Sequence, residues 1–119
     1  MQFEIDDYKI ISKIFSGNNL KIVFRNNIDI NDKKVLDLKD VAGFIETPEE
    51  NKPVKILLVN PEGGSSYNTD LSIRLKLSKI TNFPEVFLFT DKACVNFCFR
   101  AVAKSIDFRT WIDTDKWLP

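Results

Sequence analysis

Apolar residues in this chain come in short segments separated by turn-forming residues. The longest uninterrupted run of aliphatic or aromatic residues is four, at 56–59 and at 86–89. In two further segments, 20–25 and 71–78, apolar residues recur at every second position, which is the period of a half-buried strand. This pattern predicts a sheet of several short strands. A membrane-spanning helix is not expected, because it needs about 20 consecutive apolar residues.

The strand segments are separated by Asn, Asp, Gly and Pro, the residues that favour turns. The expected strands are 20–25, 35–38, 41–46, 54–59, 71–78 and 86–89. The segment 41–46 is the most ambiguous of these, and its β-branched residues favour a strand.

Helical spacing occurs on either side of the strand region. Near the N-terminus, apolar residues follow two acidic residues at the intervals of a short helix that Gly17 would end. The second expected helix begins at Asp91, and its last turn is basic, as the helix dipole favours. The apolar residues of the two stripes are Tyr8, Ile11, Ile14 and Phe15, and then Cys94, Phe97, Cys98, Ala101, Val102 and Ile106.

The order of these elements predicts an α+β fold. Runs of consecutive strands favour a mainly antiparallel sheet of five or six strands, flanked by an N-terminal and a C-terminal helix. The 119 residues are the size of one globular domain, so residues 1–119 are expected to form one domain.

The chain contains no histidine, which restricts the chemistry available to it. Ser-His-Asp and Cys-His catalysis and His-ligated zinc are excluded. Cys94 and Cys98 are too few for a thiolate zinc site, and buried cysteines behave as small apolar residues. Asp113 and Asp115 are a weak candidate for a metal site, because hard cations usually need more oxygen ligands than two residues provide. We therefore predict no catalytic set, no metal and no cofactor.

The longest expected loop, 60–68, contains Gly63 and Gly64. Paired glycines allow backbone N–H groups to converge on an anion, but the loop lacks the spacing of a phosphate-binding loop and a strand follows it. A flexible connection is therefore the favoured interpretation. Tyr67 in this loop is an aromatic residue of the kind that anchors partner proteins.

Charge is unevenly distributed along a chain whose net charge is zero. Residues 29–50 carry seven carboxylates against three lysines, whereas residues 70–109 carry seven basic residues against four acidic ones. Either the fold brings the two segments together and they neutralise each other, or the acidic segment meets a basic partner. The residues expected to bind that partner are Asp37, Asp40, Glu46, Glu49, Glu50 and Tyr67.

These observations favour a non-enzymatic protein-binding module. In size and general make-up the chain is similar to bacterial immunity proteins, which neutralise a co-encoded toxin, although no motif carries this likeness. An acidic surface suits such an inhibitor, because nuclease toxins that bind phosphates are basic. The alternatives are a small carboxylate- or metal-dependent enzyme and a nucleic-acid-binding accessory protein that uses Arg74 and Lys76.

The compartment predicted from the sequence is the cytoplasm. The N-terminal residues are acidic where a secretory signal carries positive charge, and two cysteines are too few for a disulfide scaffold.

Overall fold

A computed structural model of the chain describes residues 2–47, 52–60 and 83–112. Within these ranges the chain forms six strands and no helix. The strands are β1 (Gln2–Ser16), β2 (Asn19–Asn26), β3 (Lys33–Glu46), β4 (Val54–Asn60), β5 (Glu85–Phe89) and β6 (Phe97–Thr110).

The six strands close into an antiparallel barrel with the order β1-β2-β3-β6-β5-β4. Strands β1, β2 and β3 follow one another as hairpins, and β6 lies beside β3. Pairing of β1 with β4 closes the barrel through residues 2–8 of β1. Gly17 has a φ of 61° in the two-residue turn between β1 and β2. Glycine is favoured at the first central position of such a hairpin turn because this φ strains other residues.

The α+β prediction is wrong, since the described part of the chain is all-β. The expected N-terminal helix is strand β1. Asp7 has a φ of 62° where the register with β4 shifts, and a second shift lies between Ile10 and Ser12. The residues of the expected stripe do not share a face, because Ile14 lies opposite Lys21 on the outer face while Phe15 lies opposite the inward-facing Leu20. Apolar residues on both faces remove the alternation that would have indicated a strand.

The expected C-terminal helix is also wrong, because residues 97–110 form strand β6. Every residue from Cys98 to Ala103 is buried, so this half of the strand shows no alternation of apolar and polar positions. A fully buried strand cannot be distinguished from a buried helix by periodicity alone. Only the pairing of β6 with both β3 and β5 settles its conformation.

Three of the expected strands are confirmed as β2, β4 and β5. The two short strands expected at 35–38 and 41–46 are one continuous strand, β3, which bends at Asp40, where φ is 52°. The strand expected at 71–78 lies outside the described residues.

The interior of the barrel contains the main hydrophobic core, formed by inward-facing side chains of all six strands. Phe24, Leu36 and Phe99 are among the largest of its fully buried members. A second cluster, with Ile56 and Phe87 buried in it, lies on the outer side of β4 and β5. Strands β4, β5 and the first half of β6 are therefore buried on both faces.

The described ranges hold no helix, and therefore none long and apolar enough to cross a membrane. Cys98 is fully buried, as expected for an apolar cysteine, whereas Cys94 is half-buried in the turn before β6. Neither Cys94 nor Cys98 forms a disulfide in the described part of the chain.

Candidate functional site

Asp37, the first of the acidic residues expected to bind a partner, lies in an ion pair. It projects from the outer face of β3, between the inward-facing Leu36 and Leu38. Nη2 of Arg109 is 2.9 Å from Oδ2 of Asp37, and Nε of Arg109 donates to the same oxygen over 3.2 Å. The fold thus joins the acidic segment to the basic one at this point, as the neutralisation alternative anticipates.

Asp40 and Glu46 occupy different surroundings from Asp37. Asp40 is exposed at the bend of β3, where its N–H donates to Oδ1 of Asn19 over 3.1 Å. Glu46 ends β3 opposite Phe99 of β6, on the opposite face of the strand from Asp37. The three carboxylates therefore do not form one acidic surface.

Glu49, Glu50 and Tyr67, the other residues expected to bind a partner, lie outside the described residues. The same holds for the candidate metal ligands Asp113 and Asp115 and for Arg74 and Lys76.

Strand β1 brings a lysine and a phenylalanine to one end of the barrel. Lys13 is opposite Ile22 of β2, and Phe15 is opposite Leu20. Directly opposed residues of paired strands project from the same face of the sheet, and Ile22 and Leu20 belong to the interior core. Lys13 and Phe15 therefore continue the inward-facing row of β1 to the mouth of the barrel.

Strand β3 brings a phenylalanine and a glutamate to the same mouth. Phe44 is opposite Ala101 of β6, and Glu46 is opposite Phe99. Both β6 residues belong to the interior core, so Phe44 and Glu46 share the inward phase. We call the set of Lys13, Phe15, Phe44, Glu46 and Phe99 the aromatic mouth.

Three phenyl rings of the aromatic mouth contact one another in a row. The ring of Phe44 is nearly parallel to that of Phe99, with centroids 5.9 Å apart, and Phe15 lies 5.5 Å from Phe44. Phe99 is fully buried, whereas Phe15 is 47% exposed and Phe44 is 37% exposed. The row therefore runs from the hydrophobic core to the solvent.

An ion pair lies beside these rings. Nζ of Lys13 is 2.8 Å from Oε1 of Glu46 and 5.5 Å from the centroid of the Phe99 ring. The side chain of Lys13 is only 14% exposed, and that of Glu46 is 38% exposed. The contact with Glu46 and the ring face both stabilise the ammonium group at this partly desolvated position.

The aromatic mouth combines the features of a protein-binding surface. Large aromatic side chains supported by packed neighbours and bordered by polar groups are typical of binding hot spots. Within the described residues, no group of three or more His, Cys, Asp or Glu side chains could hold a metal ion. The chemistry of the aromatic mouth is recognition through apolar contact and one charge pair.

Sequence reasoning missed Phe15, Phe44 and Lys13 as functional candidates. The sequence pattern places Phe15 in a helical stripe, and nothing in it indicates that Phe44 lies beside Phe15. The usable signal is Gly17-Asn18, a short turn between apolar segments. If that turn is taken as a two-residue hairpin, it places Phe15 opposite Leu20.

Two titratable groups outside the aromatic mouth have shifted acidities. Burial raises the pKa of Tyr8, and a hydrogen bond that its hydroxyl donates to Asp32 adds to this effect. Burial also raises the pKa of the Cys94 thiol, with a smaller contribution from Asp91. Because the thiolate is the nucleophile, the higher pKa makes Cys94 a poor one.

Comparison of the chain with protein-family models, with curated proteins and with solved structures finds no match.

Proposed function

We propose that this chain is a non-enzymatic protein-binding module and that its partner docks on the aromatic mouth. The observation that carries the proposal is the row of rings in which the exposed Phe15 and Phe44 lie against the buried Phe99. Partner contact would remove both exposed rings from water. Because the rings of Phe15 and Phe44 already pack in a row against the buried ring of Phe99, these two side chains would lose little conformational entropy on binding.

The polar part of the aromatic mouth favours a protein over a nucleic acid. Lys13 and Glu46 form an ion pair, so the two groups contribute no net charge to attract phosphates. A rim of paired charges around an apolar centre is the usual anatomy of a protein interface.

Within this class, the specific proposal is an immunity-type inhibitor of a co-encoded bacterial toxin, acting in the cytoplasm. Cys94 and Cys98 form no disulfide in the described part of the chain, which agrees with a reducing compartment. Because Asp37 and Glu46 are engaged by Arg109 and Lys13, we expect apolar contact at the aromatic mouth, more than general acidic attraction, to hold the toxin.

The test is to co-express the tagged chain with the product of the adjacent gene and to measure complex formation and toxicity. We expect a stable 1:1 complex that suppresses the toxicity. The double variant Phe15→Ser/Phe44→Ser should bind at least about tenfold more weakly, which corresponds to about 1.4 kcal/mol. Val95→Ser is the matched control, because Val95 is 70% exposed but lies in the turn between β5 and β6.

Two results would overturn the proposal. If the chain is folded on its own but forms no complex, the immunity function is excluded. A complex whose affinity is unchanged in the Phe15→Ser/Phe44→Ser variant would move the interface away from the aromatic mouth.

The acidic alternative for the binding surface has its own variant. It combines Asp37→Asn, Asp40→Asn, Glu46→Gln, Glu49→Gln and Glu50→Gln. If acidic attraction dominates, this variant should associate more slowly and with a weaker dependence on salt. If apolar contact dominates, the affinity of this variant should fall less than the affinity of the Phe15→Ser/Phe44→Ser variant.

A further inference from the structure

Basic side chains of three neighbouring strands form a row on the outer face of the barrel. Lys9 of β1 lies opposite Arg25 of β2, and Arg25 lies opposite Lys33 of β3. Arg25 follows the inward-facing Phe24, and successive side chains of a strand point to opposite faces, so the row projects outward. Lys9 and Arg25 are exposed, and Lys33 is half-buried.

The row continues onto β6 with an aromatic side chain. Trp111 directly follows the last residue of β6, and its N–H donates to the carbonyl of Lys33 over 3.0 Å. Nζ of Lys33 lies 5.4 Å from the centroid of the Trp111 ring, so both side chains project from the same face. We call Lys9, Arg25, Lys33 and Trp111 the basic row. At about 4.8 Å between neighbouring strands, its three intervals span about 14 Å.

The basic row is unfavourable for the chain on its own. Like charges at directly opposed positions of a sheet repel each other and destabilise it. Lys9 and Arg25 form no ion pair within the described residues, so no carboxylate there offsets this repulsion. A bound anion would remove the repulsion, and the basic row therefore has the arrangement of an anion-binding surface.

Most carboxylates near the basic row are engaged by other cations. The ion pairs are Asp7–Lys55, Asp32–Lys34 and Asp37–Arg109, with N–O distances of 2.8, 3.8 and 2.9 Å. Glu4, Asp29 and Asp107 are exposed and form no ion pair within the described residues. Glu4 and Asp107 lie at least four positions along a strand from the basic row, about 13 Å. Asp29, in the loop between β2 and β3, is therefore the carboxylate that reduces the positive potential at the basic row.

We propose that the basic row binds single-stranded nucleic acid, with its cations on the phosphates and Trp111 stacked on a base. A positively charged track beside an aromatic side chain is the combination with which proteins bind single strands without sequence preference. An acidic peptide would also offset the cations, but it supplies no flat ring for Trp111 to stack on. This inference does not depend on the function proposed above.

The basic row and the aromatic mouth are separate surfaces. The basic row projects outward and includes Arg25 near the end of β2. Phe15 of the aromatic mouth projects inward opposite Leu20, near the start of β2. The five positions between Leu20 and Arg25 correspond to about 17 Å along the strand. Each surface can therefore be changed without altering the other.

Fluorescence anisotropy with a labelled oligonucleotide of about 15 thymidines tests this inference. We expect the wild-type chain to bind the oligonucleotide at low salt and to lose affinity steeply as salt is raised, because binding releases counterions from the phosphates. Arg25→Gln should bind at least about tenfold more weakly and with a shallower salt dependence. Trp111→Leu should also bind about tenfold more weakly, but with an unchanged salt dependence, since it removes stacking and no charge.

Two further variants of charged residues sharpen the test. Lys104→Gln is the matched control for Arg25→Gln, because Lys104 is exposed on β6 but lies seven positions from Trp111, about 23 Å along the strand. It should bind the oligonucleotide nearly as the wild type does. Asp29→Asn removes the carboxylate beside the basic row and should strengthen binding by about twofold or more.

The melting temperature without nucleic acid separates binding from folding. Arg25→Gln should keep or raise the melting temperature, because it removes the repulsion between Arg25 and its opposed lysines. A variant that is as stable as the wild type and binds more weakly has lost a contact with the oligonucleotide.

Four outcomes would overturn the inference. The first is no binding of the oligonucleotide at low salt. The second is an equal loss of affinity in Lys104→Gln and Arg25→Gln, which would show attraction by the general charge of the chain. The third is equal or tighter binding of a polyglutamate peptide, which would identify an acidic protein segment as the ligand. The fourth is loss of oligonucleotide binding in Phe15→Ser/Phe44→Ser, which would assign the oligonucleotide to the aromatic mouth.

Discussion

Tyr8 is a residue in which packing and hydrogen bonding act together. Its ring belongs to the interior core, and its hydroxyl donates to Asp32 in the loop between β2 and β3. Buried tyrosines usually find a partner for the hydroxyl, because an unsatisfied polar group in the interior is costly. Tyr8 thereby connects the core to this loop.

The raised pKa of Tyr8 predicts a loss of stability at alkaline pH. The unfolded chain releases this proton near its ordinary pKa of 10.0, while the folded chain retains it to higher pH. The stabilising contribution is therefore complete below pH 10 and is lost as the pH rises through the folded pKa. At pH 8, Tyr8→Phe should be less stable than the wild type by about 1 kcal/mol.

Urea unfolding at several pH values checks this prediction. The difference in the free energy of unfolding between wild type and Tyr8→Phe should shrink above pH 10. Groups that titrate in both proteins contribute equally and cancel. A difference that stays constant up to the highest pH at which both proteins fold would contradict the assignment.

At the scale of the strands, β5 and β6 share a buried charge pair on their outer face. Nη2 of Arg100 is 3.5 Å from Oε2 of Glu85, and the guanidinium group lies 4.8 Å from the centroid of the Phe87 ring. The side chain of Glu85 is fully buried, and that of Arg100 is 4% exposed. Removing one member of such a pair leaves a buried charge with weaker compensation.

We expect Glu85→Gln to destabilise the protein by about 3–5 kcal/mol, which is the usual cost of breaking a buried pair. Asp37→Asn is the matched control, since the ion pair between Asp37 and Arg109 is partly exposed and should contribute about 1 kcal/mol or less. The double variant Glu85→Leu/Arg100→Met should lose less stability than the two single changes together, because it removes both charges.

Chemical denaturation of the wild type, Glu85→Leu, Arg100→Met and the double variant measures the four free energies of the cycle. Glu85→Gln and Asp37→Asn are measured under the same conditions. Equal stability losses in Glu85→Gln and Asp37→Asn would show that the buried pair between β5 and β6 stabilises the protein no more than the partly exposed pair between Asp37 and Arg109. Strictly additive losses in the double variant would show that the two charges do not interact.

At the scale of the whole molecule, closure of the barrel depends on pairs that are distant in the sequence. Strand β3 pairs with β6, and β1 pairs with β4, so neither side of the barrel closes through a short turn. The consecutive hairpins in the described part of the chain are β1–β2, β2–β3 and β5–β6. The entropy of closing long loops must be overcome before these pairs stabilise the fold.

This topology predicts slow folding for a chain of this size, in the range of about milliseconds to seconds. Stopped-flow refolding from urea, followed by intrinsic fluorescence, measures the rate. The β1–β2 hairpin is a local structure, and Gly17→Ala strains its turn. This variant should slow refolding if the hairpin forms before the barrel closes, and should mainly speed unfolding if it forms afterwards. Refolding within microseconds would contradict the dominance of long-range pairing.

The sequence by itself determined the strands whose apolar residues alternate or form short buried runs. β2 is recognisable from Leu20, Ile22 and Phe24, and β4 and β5 from their four-residue apolar runs. In these segments the local pattern and the burial in the sheet agree, so periodicity is enough. The burial of Cys98 was also predicted, because cysteine in a protein interior behaves as a small apolar residue.

Only the tertiary structure decided the class of the fold and the location of the candidate sites. Strand β1 carries apolar residues on both of its faces, and β6 is buried on both faces, so neither strand shows the alternation of apolar and polar positions. The aromatic mouth joins residues of β1, β3 and β6, and the charge of Asp37 is offset by Arg109, 72 positions along the chain. The local sequence does not indicate such neighbours, because strand pairing across a closed barrel is determined by the packing of the whole sheet.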